Sequence, residues 1–185
     1  MISIGPSVIL LMQDATIFKI ICYICIMKKV KLEIAYQIHA IDELDAQDKE
    51  LLDAAIEATR RSYAPYSRFH VGAAVLLENG IIITGTNQEN VAYPSGLCAE
   101  RTALFYANSQ YPDVPVKALA IAAGHADGTP HHGIISPCGA CRQVMQETEK
   151  RFENPMRILL GGEGEKDIYI IEGVKSLLPL SFDEY

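Results

Sequence analysis

The stretch His70-Val71-Gly72-Ala73-Ala74-Val75-Leu76-Leu77-Glu78-Asn79-Gly80-Ile81-Ile82-Ile83-Thr84 decides the fold. Two apolar, β-branched runs flank an Asn-Gly step, the strongest short signal for a tight turn between antiparallel strands. Upstream, Asp45 to Arg61 has the spacing of an amphipathic helix: Asp45 or Asp48 caps it, Leu51, Leu52, Ala55, Ile56 and Ala58 supply the apolar face, and Pro65 stops it. Downstream, Cys98 to Asn108 has helical spacing, and Val116 to Ala123 is a continuous apolar run of the kind found in buried central strands. Cys138 to Glu147 opens a further helix, Arg157 to Leu160 and Ile168 to Ile171 read as strands, and Val174 to Leu178 as a short terminal helix. The sum is a three-layer α/β/α domain with helices packed on a five-stranded mixed sheet.

With 185 residues, 49% hydrophobic and 21% charged, the chain is neither disordered nor fibrous, and it can bury a core without disulfides. A formal charge of −7 argues against a protein that coats nucleic acid, because that binding needs a concentrated basic surface. Five cysteines, an odd number, point to a reducing, cytoplasmic setting in which thiols serve metal or chemistry. Residues 1–26 stand apart. Their apolar runs, Val8 to Met12 and Ile17 to Met27, are too short for a membrane span and lack the layout of a signal peptide. Met27 is followed by Lys28-Lys29-Val30-Lys31, an ordinary beginning for a chain. The expectation is an extension over 1–26 that plays no part in function, and one working domain over 27–185.

The chemistry lies in Cys98-Ala99-Glu100 and, forty positions on, Pro137-Cys138-Gly139-Ala140-Cys141. Each half puts cysteine at the first turn of an expected helix, where unpaired backbone N–H groups favour thiolate over thiol. Cys138 and Cys141 share one helix face, and Cys98 arrives from another helix, so the three can hold one zinc ion. A structural zinc knot takes a fourth protein ligand, and no candidate lies at a matching position; three ligands leave room for a reactant. Glu100, two residues past a ligand, falls near that open position without being a ligand.

Around these residues run Tyr63-Ala64-Pro65-Tyr66-Ser67-Arg68-Phe69, Gly85-Thr86-Asn87-Gln88-Glu89-Asn90-Val91-Ala92-Tyr93, Cys98-Ala99-Glu100-Arg101-Thr102-Ala103 and Ser136-Pro137-Cys138-Gly139-Ala140-Cys141-Arg142-Gln143-Val144. Together they closely resemble cytidine deaminase, from about Leu44 to Phe182. A C-x-E paired with P-C-x-x-C belongs to zinc-dependent nucleoside and nucleobase deaminases in general; the flanking runs narrow the resemblance to those acting on free cytidine. Cysteine rather than histidine at position 98 resembles the homotetrameric branch. Thr86, where cysteine is common, and an ending soon after Phe182 are departures that leave the ligand positions untouched.

The resemblance implies one Zn²⁺ per subunit on Cys98, Cys138 and Cys141, and Glu100 as the group that moves protons between water, N3 and the departing ammonia. Arg101 is implied as the donor that offsets excess thiolate charge. Asn87 and Glu89 alternate along an extended segment and are placed on the sugar; Phe69 and Tyr93 are pocket residues. The Ala99 N–H and the Ser136 carbonyl read the base edge, and Phe182 closes over a base, in its own or a neighbouring subunit. The expected reaction is hydrolysis of cytidine and deoxycytidine to uridine and deoxyuridine for pyrimidine salvage, with no nucleic-acid or membrane partner. Its rivals are deamination of a cytosine-containing antibiotic nucleoside, editing of a polynucleotide, and a non-catalytic zinc-stabilised binding protein. Cys22-Tyr23-Ile24-Cys25 has redox spacing without the surrounding strand and helix. His131-His132 sits between Gly128, Pro130 and Gly133 and reads as a solvated turn, and Gly161-Gly162-Glu163-Gly164 as a turn between strands.

Overall fold

The computed structural model describes residues 29–125, 127, 129, 131–162 and 164–183. The extension over 1–26, with its Cys22 and Cys25, lies outside the described residues. Residues from Glu33 onward form one compact unit; Lys29 to Leu32 belong to a separate one and carry no regular element.

The elements in chain order are β1 (Gln37–Ala40), α1 (Ala46–Thr59), β2 (Phe69–Leu77), β3 (Ile82–Thr86), α2 (Ala99–Gln110), β4 (Val116–His125), α3 (Gly139–Phe152), β5 (Arg157–Leu160) and β6 (Asp167–Glu172). The expected terminal helix is a 3-10 turn, Val174–Ser176. The sheet has six strands in the order β1-β6-β5-β4-β2-β3, one more than expected. The addition is β1, which pairs antiparallel with β6 from Gln37↔Ile170 to Ala40↔Asp167, and Tyr36 just before it stacks on Tyr169 at 5.1 Å. Four residues without a flanking turn signal make no readable strand; β1 exists because β6, from the other end of the chain, offers it a ladder.

The hairpin forms as read. Gly80 takes φ +84°, and β2 and β3 pair from Gly72↔Thr86 to Leu76↔Ile82. β4 joins the other side of β2 antiparallel, while β4 and β5 are parallel, as the α3 crossover between them requires. Alternation along the strands then sorts the core into two layers. Ala74 and Leu76 of β2 meet Leu51, Leu52 and Ala55 of α1, whereas Ala73, Val75 and Leu77 meet Ala103, Leu104 and Ala107 of α2 and Met145 of α3. All but Leu76 of these residues are at most 1% exposed. α1 starts where expected, its Asp45 side chain accepting the Asp48 N–H at 2.8 Å. Among the described residues no helix is long and apolar enough to cross a membrane.

Candidate active site

α2 and α3 share one face of the sheet and start from the same kind of residue: Cys98 caps α2 and Cys138 caps α3. Neither side chain accepts a helix N–H, so both sulfurs are free to meet each other. Cys98 Sγ lies 3.9 Å from Cys138 Sγ, Cys138 Sγ lies 3.2 Å from Cys141 Sγ, and all three fall within 4.8 Å of one another. Tetrahedral zinc with Zn–S bonds of about 2.3 Å separates its sulfurs by about 3.8 Å, so the cluster has the right size for that ion. One turn into α2, Arg101 Nη2 donates to Cys98 Sγ at 3.4 Å.

The charges tell the same story. The hydrogen bond from Cys141, reinforced by Arg101, holds the Cys98 thiol down at about 5 against the opposing effect of burial. The same bond, then burial, pushes the Cys141 thiol far above the usual thiol range. Three sulfurs this close cannot all ionise without a cation among them. Arg101 Nε, buried with no protein partner, also marks a site fitted to more than its own side chains. The donor set therefore fits zinc. Glu100, 5% exposed, has its carboxyl pushed above the usual range, first by burial and then by the Cys98 thiolate.

A cavity of about 430 Å³ opens beside the cluster, lined by Phe69, Asn87, Glu89, Tyr93, Cys98, Ala99, Glu100, Arg101, Ser136 and Cys138. Cys141 is fully buried. Asn87 comes from just past β3 and serves β2: its Oδ1 accepts the Val71 N–H at 2.8 Å and its Nδ2 donates to the Phe69 carbonyl at 2.9 Å. These bonds continue the ladder where backbone pairing stops, and they leave one N–H and one lone pair for another partner. Glu89 Oε2 accepts the N–H groups of Tyr66 at 2.8 Å and Ser67 at 3.2 Å. Bonds from Ser67, side chain first, then from the two backbone N–H groups, hold its carboxyl below the usual range.

Phe182 is not brought to this cavity. It is 69% exposed, and its carbonyl accepts Gln143 Nε2 at 2.7 Å, which ties the C-terminal segment to α3. His131 corrects the reading of a solvated turn: its ring meets Phe69 edge-on at 5.1 Å and lies 5.3 Å from the His125 ring. His132 is exposed, as expected. Nothing local in the sequence signals the contact, because Phe69 and His125 become neighbours only through β2–β4 register. Sequence reasoning also passed over Ile135 and Leu97, which line the cavity.

Three clustered thiols beside a cavity that holds a buried carboxyl have the layout of a catalytic metal centre; a structural knot would close the metal with a fourth ligand. Comparison with known proteins makes the class specific. Residues 45–152 match the family described as the cytidine and deoxycytidylate deaminase zinc-binding region, and the chain belongs to that family. It is 48% identical over 97 residues to a cytidine deaminase of Halalkalibacterium halodurans, covering 52% of this chain and 68% of that protein. It is 41% identical over 106 residues to a cytidine deaminase of Mycobacterium tuberculosis, covering 56% of this chain and 74% of that one. Among solved structures, cytidine deaminase from Burkholderia pseudomallei superposes with a TM-score of 0.62 at 38% identity, covering 72% of this chain and 97% of that chain. The Mycobacterium tuberculosis cytidine deaminase structure gives 0.57 at 32% identity, with 76% and 100% covered.

Proposed function

We propose that this protein hydrolyses cytidine and deoxycytidine to uridine and deoxyuridine with release of ammonia, in the salvage of pyrimidine nucleosides in the cytoplasm. The observation that carries it is the cluster of Cys98, Cys138 and Cys141 thiols beside the buried Glu100 carboxyl in one nucleoside-sized cavity. When bound on those thiolates, zinc supplies Lewis-acid activation of water, bringing its pKa to about 7. Glu100 takes a proton from the attacking water and delivers it to N3 as oxygen bonds to C4. It then carries the proton of the new C4 hydroxyl to the amino group as the C4–N bond breaks, leaving a carbonyl and ammonia. Burial suits it to this work, since it pushes the carboxyl above the usual range and so makes it hold a proton more readily than an exposed carboxylate does. Arg101 offsets the charge of the thiolates through its bond to Cys98.

The Ala99 N–H, free in the first turn of α2, and the Ser136 carbonyl meet the base edge. Glu89, with one oxygen held by Tyr66 and Ser67, and Asn87, with its remaining N–H, meet the sugar hydroxyls, and Phe69 and Tyr93 flank the nucleoside. Tyr93 is 80% exposed and Phe182, 69% exposed, does not line its own chain's cavity, which supports a homotetramer whose neighbouring chains cover each site with Phe182. Working residues span 27–185. One purified sample tests the central claim: zinc near one per chain together with loss of cytidine absorbance supports it, and zinc without ammonia release overturns it. A chain begun at Met27 retains zinc and turnover. Phe182→Ala raises KM without removing zinc, and a fully active monomer in light scattering refutes the shared site.

A further inference from the structure

Arg142 follows the third cysteine of the cluster on α3 and spends its guanidinium on three separate oxygens. Nε donates to the Pro137 carbonyl at 2.8 Å, Nη2 to Ser136 Oγ at 2.9 Å, and Nη1 to the Leu177 carbonyl at 2.7 Å. One planar cation thus grips both residues that precede Cys138 and the end of the Val174–Ser176 turn. Arg142 does not line the cavity that holds Glu100; it lines a second cavity of about 850 Å³, with Ser136 and Leu177. Ser136 faces both cavities, so it forms a thin wall between them.

We infer that Arg142 is a positioning residue for base recognition: from the second cavity it braces the Ser136–Pro137 peptide and so fixes the carbonyl that reads the cytosine edge. This rests on the function proposed above. Pro137 is buried but has no N–H to donate, so the side-chain hydrogen bonds that hold this peptide come from Arg142. Fixed geometry matters because a carbonyl that wanders loses its bond to the base even when the metal and Glu100 are in place. The guanidinium contacts oxygens rather than sulfurs, so its task differs from that of Arg101. Lysine cannot replace it fully, because a point-like ammonium does not span three acceptors arranged around a planar fork.

The test compares wild type, Arg142→Lys and Arg142→Gln by zinc content, KM and kcat for cytidine and for deoxycytidine. The expected result is a rise in KM of roughly two- to tenfold in Arg142→Gln, the weakening of one hydrogen bond to the base, equal for both nucleosides because the base and not the sugar is affected, with kcat per zinc-loaded chain unchanged. Arg142→Lys falls between the two, and decides the matter if the glutamine variant does not fold. A merely structural role would lower the active fraction, hence kcat, and leave KM alone; that result overturns the inference, as does an unchanged KM, a KM change confined to one nucleoside, or loss of zinc. A wild-type protein with zinc but inert toward both nucleosides overturns the proposed function and this inference with it.

Discussion

Gly85 seats the helix that carries Cys98 and Glu100, and replacing it with alanine tests how closely that helix must be held. A Cβ at Gly85 would stand 2.4 Å from the Ala103 nitrogen and 2.5 Å from the Ala99 oxygen, both backbone atoms of α2. Backbone cannot swing aside as a side chain does, so α2 must retreat by about 1 Å to regain van der Waals distance. Overpacking of this kind costs about 1–3 kcal/mol, which for a chain of this size lowers Tm by roughly 2–4 °C per kcal/mol. The retreat begins at Ala99, next to Cys98 and Glu100, and a displacement near 1 Å at reacting groups lowers kcat/KM by about a hundredfold. Gly139 is the control. It starts α3 directly after Cys138, yet a Cβ there meets nothing within 4 Å. Gly139→Ala is therefore neutral or stabilising by about 0.4–1 kcal/mol. Thermal unfolding and steady-state deamination of both variants are the assays; a Gly85→Ala protein with wild-type Tm and turnover would refute the claim that α2 is held by contact at Gly85.

Two further outcomes are expected. Glu100→Gln retains zinc and binds nucleoside but loses turnover by at least about 10² to 10⁴-fold, and near-normal kcat would remove the carboxyl from the mechanism. Glu149 accepts the N–H groups of Met156 at 3.0 Å and Val174 at 2.8 Å through Oε1, and burial pushes its carboxyl above the usual range. A raised folded-state pKa adds stability below the unfolded value, and that contribution is lost as pH rises through the folded one. Glu149→Gln keeps an accepting oxygen but cannot ionise, so its Tm relative to wild type should climb as pH passes upward through the carboxylate range; a flat difference would show that burial there has no energetic consequence.

What the chain discloses on its own is what a few neighbouring residues decide. Asn79-Gly80 makes a turn wherever two apolar runs flank it, Asp45 caps α1 through a bond to the residue three places on, and Cys138 and Cys141 share a helix face by periodicity alone. The cluster of Cys98, Cys138 and Cys141 is legible for that reason, because each half of it is local and the spacing of the halves is distinctive. Tertiary structure decided the rest. β1 is a strand only because β6 pairs with it, and His131 leaves a polar turn to pack on Phe69 only because β2 and β4 lie in register. Asn87 bonds to β2 at both ends of its amide, and Arg142 ties Ser136 and Pro137 to Leu177 across the width of α3. None of these bonds has a local signature. Apart from the Arg142 bonds to Ser136 and Pro137, their partners are distant in sequence, and the free energy of each such contact appears only once the fold has brought its two ends together.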